Sequence, residues 1–237
     1  MIKIERTDVV GWESAIRGMR NPMNSWGKSD SHTCYCYDCH YEDCPMVEND
    51  HEPAHECNNG EYGYCVGRND LSLMQKLVKA GSDHSKFMRM LVVYCDITAP
   101  LYWWKEYDTY KVGTVANSCS TMHKIHENEF TRDDFSGEHL FNDDRGISGL
   151  YLDALDVVIE ALNDARTMYR RTKDKRYWWQ MIQLLPTSYN QTRTVEVNYA
   201  VLRNMYHARK NHKLDEWHTF CEWVESLPYA KELITSE

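Results

Sequence analysis

Residues 31 to 66 constrain this chain more than any other stretch, because they cannot build a hydrophobic core of their own. They are rich in cysteine, histidine, tyrosine and acid and poor in aliphatic side chains. Too little apolar surface is available there to offset the entropy of ordering the backbone. The stretch reads as an insertion held by something else, so the core must come from the chain on either side. Six of the nine cysteines fall inside it (Cys34, Cys36, Cys39, Cys44, Cys57 and Cys65), while Cys95, Cys119 and Cys221 are scattered. In a reducing compartment such a cluster is more often a metal site than a disulfide framework. Cys34, Cys36, Cys39 and Cys44 can close a tetrahedral zinc site of structural type, with no position left open for catalysis. The spacing differs from a two-plus-two finger, and His51, His55, Cys57 and Cys65 are further candidate ligands. A reduced loop, or a disulfide formed in air, is the alternative.

Around that insertion the 237 residues carry alternating helix and strand signals of one α+β domain. Ile2 to Arg6 alternates and reads as a short edge strand. Trp12 to Arg20 reads as a helix stopped by Asn21-Pro22. Asp70 to Lys79 is a second helix, with Leu73, Leu77 and Met74 facing inward and Gly81 as its C-terminal stop. Met90 to Ile97 is apolar and β-branched, a buried strand. Thr98 is expected to cap the next helix, with Pro100 in its first turn. Glu127 to Asp144 reads as an acidic surface loop. Four helices are expected beyond it: Ser148 to Arg171, Lys175 to Leu185, Val197 to Arg209, and Leu214 to Ser226. There is no internal repeat and no low-complexity tract.

A formal charge of −9 argues against general affinity for nucleic-acid backbone. No apolar run approaches the roughly 20 residues that span a bilayer. Met1-Ile-Lys-Ile-Glu-Arg lacks the apolar region of a signal peptide, so the expectation is a cytoplasmic protein.

Several pieces occur in a telling order. Ser14-Ala-Ile-Arg17-Gly-Met-Arg20 is followed by Leu73-Met-Gln-Lys-Leu-Val-Lys-Ala-Gly81-Ser-Asp-His84. A strand ending in Ala99-Pro100 and an aromatic helix come next. Leu185-Pro186 and Asn198-Tyr-Ala-Val-Leu-Arg-Asn204-Met-Tyr-His-Ala-Arg209 close the series. Together these resemble the flavin-dependent thymidylate synthases. The resemblance implies a helix–strand core assembled as a homotetramer, with FAD and dUMP bound together at subunit interfaces. It implies one-carbon or hydride transfer at pyrimidine C5. By the same resemblance Asn198, Asn204, Lys111 and His84 would contact the cofactor, and Arg209, Ser118, Ser120 and Arg193 the pyrimidine nucleotide. Arg209 would also be the catalytic electrostatic activator.

The family's Arg-His-Arg signature is replaced here by Thr109-Tyr110-Lys111, and the motif's terminal arginines are gone. Neither Thr nor Met reproduces the two directed bonds of an arginine fork on phosphate. A non-catalytic nucleotide-binding protein, or a protein-interaction module on the same fold, is therefore the alternative. Read without the resemblance, Arg209 is a cation at a helix C-terminus. Trp103-Trp104 and Trp178-Trp179 are either stacking platforms or core. His84, His123, His126, His207 and His212 are candidates for acid–base work, none of them singled out by spacing.

Overall fold

The computed structural model describes residues 2–33, 64–141 and 149–236. The four cysteines expected to bind zinc lie outside these residues, so the structure says nothing of them. The centre of the fold is the strand β4 (Val92–Pro100), which lies between an N-terminal strand β1 (Lys3–Val10) and a late strand β6 (Asn190–Asn198). A further strand, β5 (Thr114–Ser118), closes the other edge of a four-stranded sheet of order β1-β4-β6-β5. All its pairings are antiparallel. Val93, Cys95, Ile97 and Ala99 of β4 are sealed on one face, beside Gln191, Val195 and Val197 of β6. The opposite face is polar: Thr98 and Thr192 share a 2.7 Å hydroxyl contact, and Thr194 donates to Asp96 at 2.6 Å. This two-sided pattern is the period of two that an antiparallel sheet with one buried face requires.

Helices cover the buried face. The first, α1 (Trp12–Arg20), follows Gly11, whose φ of +98° and close approach to the Met90 carbonyl leave no room for a side chain. Next come α2 (Arg68–Lys79), α3 (Leu101–Tyr107), α7 (Tyr199–Arg209), α8 (Asp215–Glu225) and α9 (Ala230–Leu233). Trp103, Trp104, Tyr107, Trp217 and Phe220 form an aromatic cluster at the heart of this core, with ring centroids 4.9–6.4 Å apart. A second cluster lies under the hairpin of α5 (Leu150–Thr172) and α6 (Lys175–Leu184), where Ile159, Leu162 and Met181 meet Ile125, Phe130 and Phe135. A short helix, α4 (Thr121–Lys124), joins β5 to that second cluster. No helix among the described residues is long and apolar enough to cross a membrane.

Expectation and structure differ at several points. The helix expected from Thr98 starts at Leu101, because Thr98 is a paired residue of β4 and Pro100 supplies the extended N-cap. No strand is expected at β5 or over most of β6, and Val197 and Asn198, expected to open a helix, are the last residues of β6, so that helix starts at Tyr199. On α2 the buried stripe is Asp70, Met74 and Val78, one position round from the Leu73–Leu77 face, which is only half-buried. At the edge of the cysteine-rich stretch, β2 (His32–Thr33) pairs with β3 (Tyr64–Cys65), and Cys65 and Val66 are buried. The stretch therefore closes on a two-stranded base, and its last residues belong to the core.

That base is locked by a buried ion pair. Arg20 donates from Nε to Asp70 at 2.6 Å, with side-chain exposures of 5% and 0%. Asp70 also accepts from the hydroxyls of Ser29 and Ser31 and from the backbone N–H groups of Asp30 and Ser31. Burial pushes the Asp70 carboxyl upward, but the hydrogen bonds from Ser31, Ser29 and Arg20 and the guanidinium charge outweigh it. The net shift is below the ordinary carboxylate value.

Candidate functional site

The segment from Glu106 to Gly113 links α3 to β5, and its geometry follows from how α3 packs. With Trp103, Trp104 and Tyr107 turned into the core, the last turn of α3 presents Glu106 and Asp108 outward. Gly113 then turns the chain with φ of +82°; a Cβ there would come within 2.8 Å of the Asn198 amide and 3.0 Å of Val201. The turn thus lies directly against the start of α7.

Three expected site residues converge on this segment. Arg209 closes α7 and donates from Nε to the Tyr110 hydroxyl at 2.9 Å and from Nη1 to Glu106 Oε2 at 2.7 Å. Its guanidinium lies 4.8 Å from the Trp217 ring centroid and 5.5 Å from that of Tyr110. The same Glu106 oxygen accepts from Trp217 Nε1 at 3.2 Å and lies 3.2 Å from His212 Nε2. Arg193 points inward from β6, stacks 4.1 Å over Trp104 and donates to Asp108 at 2.7 Å and to Gln191 at 3.0 Å. Asn198 caps α7, accepting from Val201 N–H at 3.1 Å while its amide donates to the Gly113 carbonyl at 3.3 Å. Lys111 is exposed within the segment, and Ser118 lies opposite Arg193 in the β5–β6 register.

The other expected residues stand apart. Asn204 is exposed on α7, and His84 is exposed in the turn after α2. Ser120 caps α4 and lines a different feature, a cavity of about 550 Å³. Thr98, Thr192 and Tyr189 also line that cavity, together with the acids Glu127, Glu129, Asp133 and Asp134. Burial pushes the Tyr189 hydroxyl above its usual range, with further upward pushes from Asp134 and Cys119. Lys124 is the cavity's one lining cation, and it is already paired with Glu127. A dinucleotide bearing two phosphates does not fit so acidic a lining. That cavity is therefore not suited to FAD. Among the described residues, no group of three or more His, Cys, Asp or Glu side chains is arranged to hold a metal.

The tryptophan pairs divide. Trp103 and Trp104 are core. Trp178 packs on the second cluster and donates to the Met122 carbonyl at 3.0 Å, whereas Trp179 remains 43% exposed. Sequence reasoning did not find Glu106, Asp108, Tyr110 or Trp217. Their partners lie 85 to 111 residues away along the chain, and no local spacing announces such pairs.

Known structures align with nearly the entire chain. Thymidylate Synthase X (ThyX) from Helicobacter pylori, solved with FAD and dUMP, matches with a TM-score of 0.64 and 14% identity, covering 99% of this chain and 98% of that one. A second structure of the H. pylori enzyme, complexed with the same two ligands, gives a TM-score of 0.61 at 14% identity, with 98% of each chain covered. The chain has the fold of the flavin-dependent thymidylate synthases. The UMP/dUMP methylase PolB from Streptomyces cacaoi, bound with 5-Br dUMP, shares that fold at a TM-score of 0.55 and 14% identity, covering 99% of this chain and 95% of that one. No protein-family model and no curated protein matches the sequence itself. The stretch from Thr109 to Met122 comprises the turn after α3, the edge strand β5 and the start of α4.

Proposed function

We propose that this protein is a divergent flavin-dependent thymidylate synthase-like protein that binds a pyrimidine of the dUMP class together with FAD, at a site built around Glu106–Gly113. The observation that carries this reading is the end-to-end fold match to structures holding FAD and dUMP or a dUMP analogue. The gathering of Arg209, Arg193 and Asn198 on one segment supports it. FAD, when bound, supplies hydride chemistry. In this chain, Lys111, Asn204 and His84 are exposed donors for its phosphates and ring, and a second protomer would complete the enclosure. Val115 of the edge strand β5, 61% exposed, and Val112 in the turn before it, 90% exposed, support such an assembly, a homotetramer in this reading. The protein acts in the cytoplasm, and a structural zinc on Cys34, Cys36, Cys39 and Cys44 orders the stretch that closes on β2 and β3.

Calorimetric titration of the purified protein with FAD and pyrimidines tests the reading. Saturable binding of both, with the pyrimidine signal lost in Arg209→Ala, is the expected result. Absence of both signals in the wild type would refute it. Conversion of dUMP in the presence of a one-carbon donor and a reductant would establish turnover, and binding without conversion would make the protein a sensor or store. Light scattering after gel filtration reads the tetramer, and metal analysis of protein purified under reducing conditions reads the zinc.

A further inference from the structure

We propose that the tip of the α5–α6 hairpin is a docking surface for single-stranded nucleic acid. Arg170-Arg171-Thr-Lys173-Asp174-Lys175-Arg176 sets five cations and one acid in seven residues of a chain whose formal charge is −9. All five cations are exposed. Arg176 is neutralised by Asp174 at 2.6 Å, whereas Arg170, Arg171, Lys173 and Lys175 make no ion pair among the described residues. The stability of the hairpin does not account for them. Arg170 and Arg171 suit the C-terminus of α5, but Lys175 and Arg176 open α6, where the helix dipole favours acids and the first turn holds none. Charges set against a local preference are expected where a surface serves a partner. The turn itself is firmly built. Lys173, at φ of +58°, returns its N–H to the Tyr169 carbonyl at 2.8 Å, and Asp174 caps α6 by accepting from Arg176 N–H at 2.9 Å.

An exposed aromatic ring stands beside these cations. Trp179 is 43% exposed and meets the Trp178 ring at a centroid distance of 4.8 Å and an angle of 69°. Trp178 is in turn anchored by the second cluster and by its 3.0 Å bond to the Met122 carbonyl. Lys175 lies 5.7 and 5.8 Å from the two ring centroids, which sets a cation and a stacking face side by side. Along α6, Arg176, Trp179, Gln180 and Gln183 share the exposed face. Free cations for a phosphate backbone, a ring for a base and neutral amides for its edge together fit an unpaired strand. A duplex keeps its base faces in the stack and would leave Trp179 unused. An acidic polypeptide would likewise engage the cations alone. A lipid surface calls for a broad apolar stripe, and the glutamines interrupt it here. The rest of the chain is net acidic, so the affinity is confined to this tip. None of these residues belongs to the Glu106–Gly113 site, and the surface stands whether or not that site binds a pyrimidine.

The test is fluorescence anisotropy of labelled oligodeoxythymidylate, oligouridylate, a DNA duplex and polyglutamate titrated with the full chain, at salt between about 50 and 200 mM. Sedimentation with phosphatidylserine vesicles runs beside it. Single strands are expected to bind, the tighter of the two naming the strand as DNA or RNA. Log affinity should fall against log salt with a slope of about −3, the value for four phosphates neutralised on a single strand. The duplex is expected to bind at least about fivefold more weakly. Trp179→Ala should weaken single-strand binding at least about fivefold with the slope unchanged. Joint replacement Arg170→Gln and Arg171→Gln should flatten the slope by about 1.4. Both variants are at exposed positions, and an unchanged melting temperature shows that the fold is intact. No single-strand binding at low salt, equal or tighter binding of the duplex, or wild-type binding by a folded Trp179→Ala would each overturn the inference. Tighter binding of the vesicles or of polyglutamate would overturn it in favour of a lipid or an acidic protein. If a variant does not fold, the wild type's preference for single strand over duplex decides.

Discussion

Replacing Asp70 with asparagine should destabilise the protein by about 3 kcal/mol, in the range for removing one partner of a buried ion pair. Asp70 is fully buried and accepts five hydrogen bonds, from Arg20, Ser29, Ser31 (two) and Asp30. Asparagine keeps the volume and one acceptor oxygen, but its amide group would meet donors where the second carboxylate oxygen now accepts. The Arg20 guanidinium, 5% exposed, would be left without a counter-charge. Removing one partner of a buried ion pair costs about 3–5 kcal/mol, and because asparagine keeps the side-chain volume and one acceptor oxygen the loss falls at the low end of that range. Urea melts followed by tryptophan fluorescence measure it, as a fall in midpoint at constant slope. Adding Arg20→Met to Asp70→Asn removes the orphaned charge and should recover at least about 1 kcal/mol of the deficit. A loss below about 1 kcal/mol for Asp70→Asn alone would refute the claim that this pair locks the base of the cysteine-rich stretch.

Because the Asp70 carboxyl is held below its ordinary value in the fold, its stabilisation is fully present above the unfolded carboxylate pKa. It is lost as pH falls through the lower folded value. Acid melts of wild type should therefore steepen below about pH 4, and those of Asp70→Asn should show a weaker acid limb. Gly113→Ala combines a φ of +82° with a Cβ 2.8 Å from Asn198, so it should cost about 1–3 kcal/mol, read as a lowered melting temperature. Leu162→Ala, at a fully buried position of the second cluster, should cost about 2–5 kcal/mol in the same assay, and a cost below 1 would mean that the α5–α6 hairpin is not packed as described.

The helical parts of the fold were legible because their signals are local. Trp12–Arg20 begins and ends where its apolar spacing and the following Asn21-Pro22 place it, and α8 begins and ends within a residue of its expected bounds. β6 was not legible. Its inward row holds Gln191 and Arg193 as well as Val195 and Val197, so the alternation of apolar and polar residues is broken at the start. β5 is an exposed edge strand, with no buried face to impose a pattern. At the candidate site, Arg209, Arg193 and Asn198 were expected from the resemblance alone, and the structure gathers them on one segment. The acids that hold the two arginines were not expected, since Glu106 and Arg209 are 103 residues apart and Asp108 and Arg193 are 85 apart. Tertiary packing of Trp103, Trp104 and Tyr107 decides that Glu106 and Asp108 face the arginines, and no window of sequence contains that information.

The most direct measurement is the visible absorption spectrum of the protein after incubation with FAD and gel filtration, repeated with a saturating pyrimidine. Retained flavin bands, shifted when the pyrimidine is added and unshifted in Arg209→Ala, are the result this account predicts. A colourless protein under every condition would contradict it, and would leave the fold of a flavin-dependent enzyme without the cofactor that defines the family.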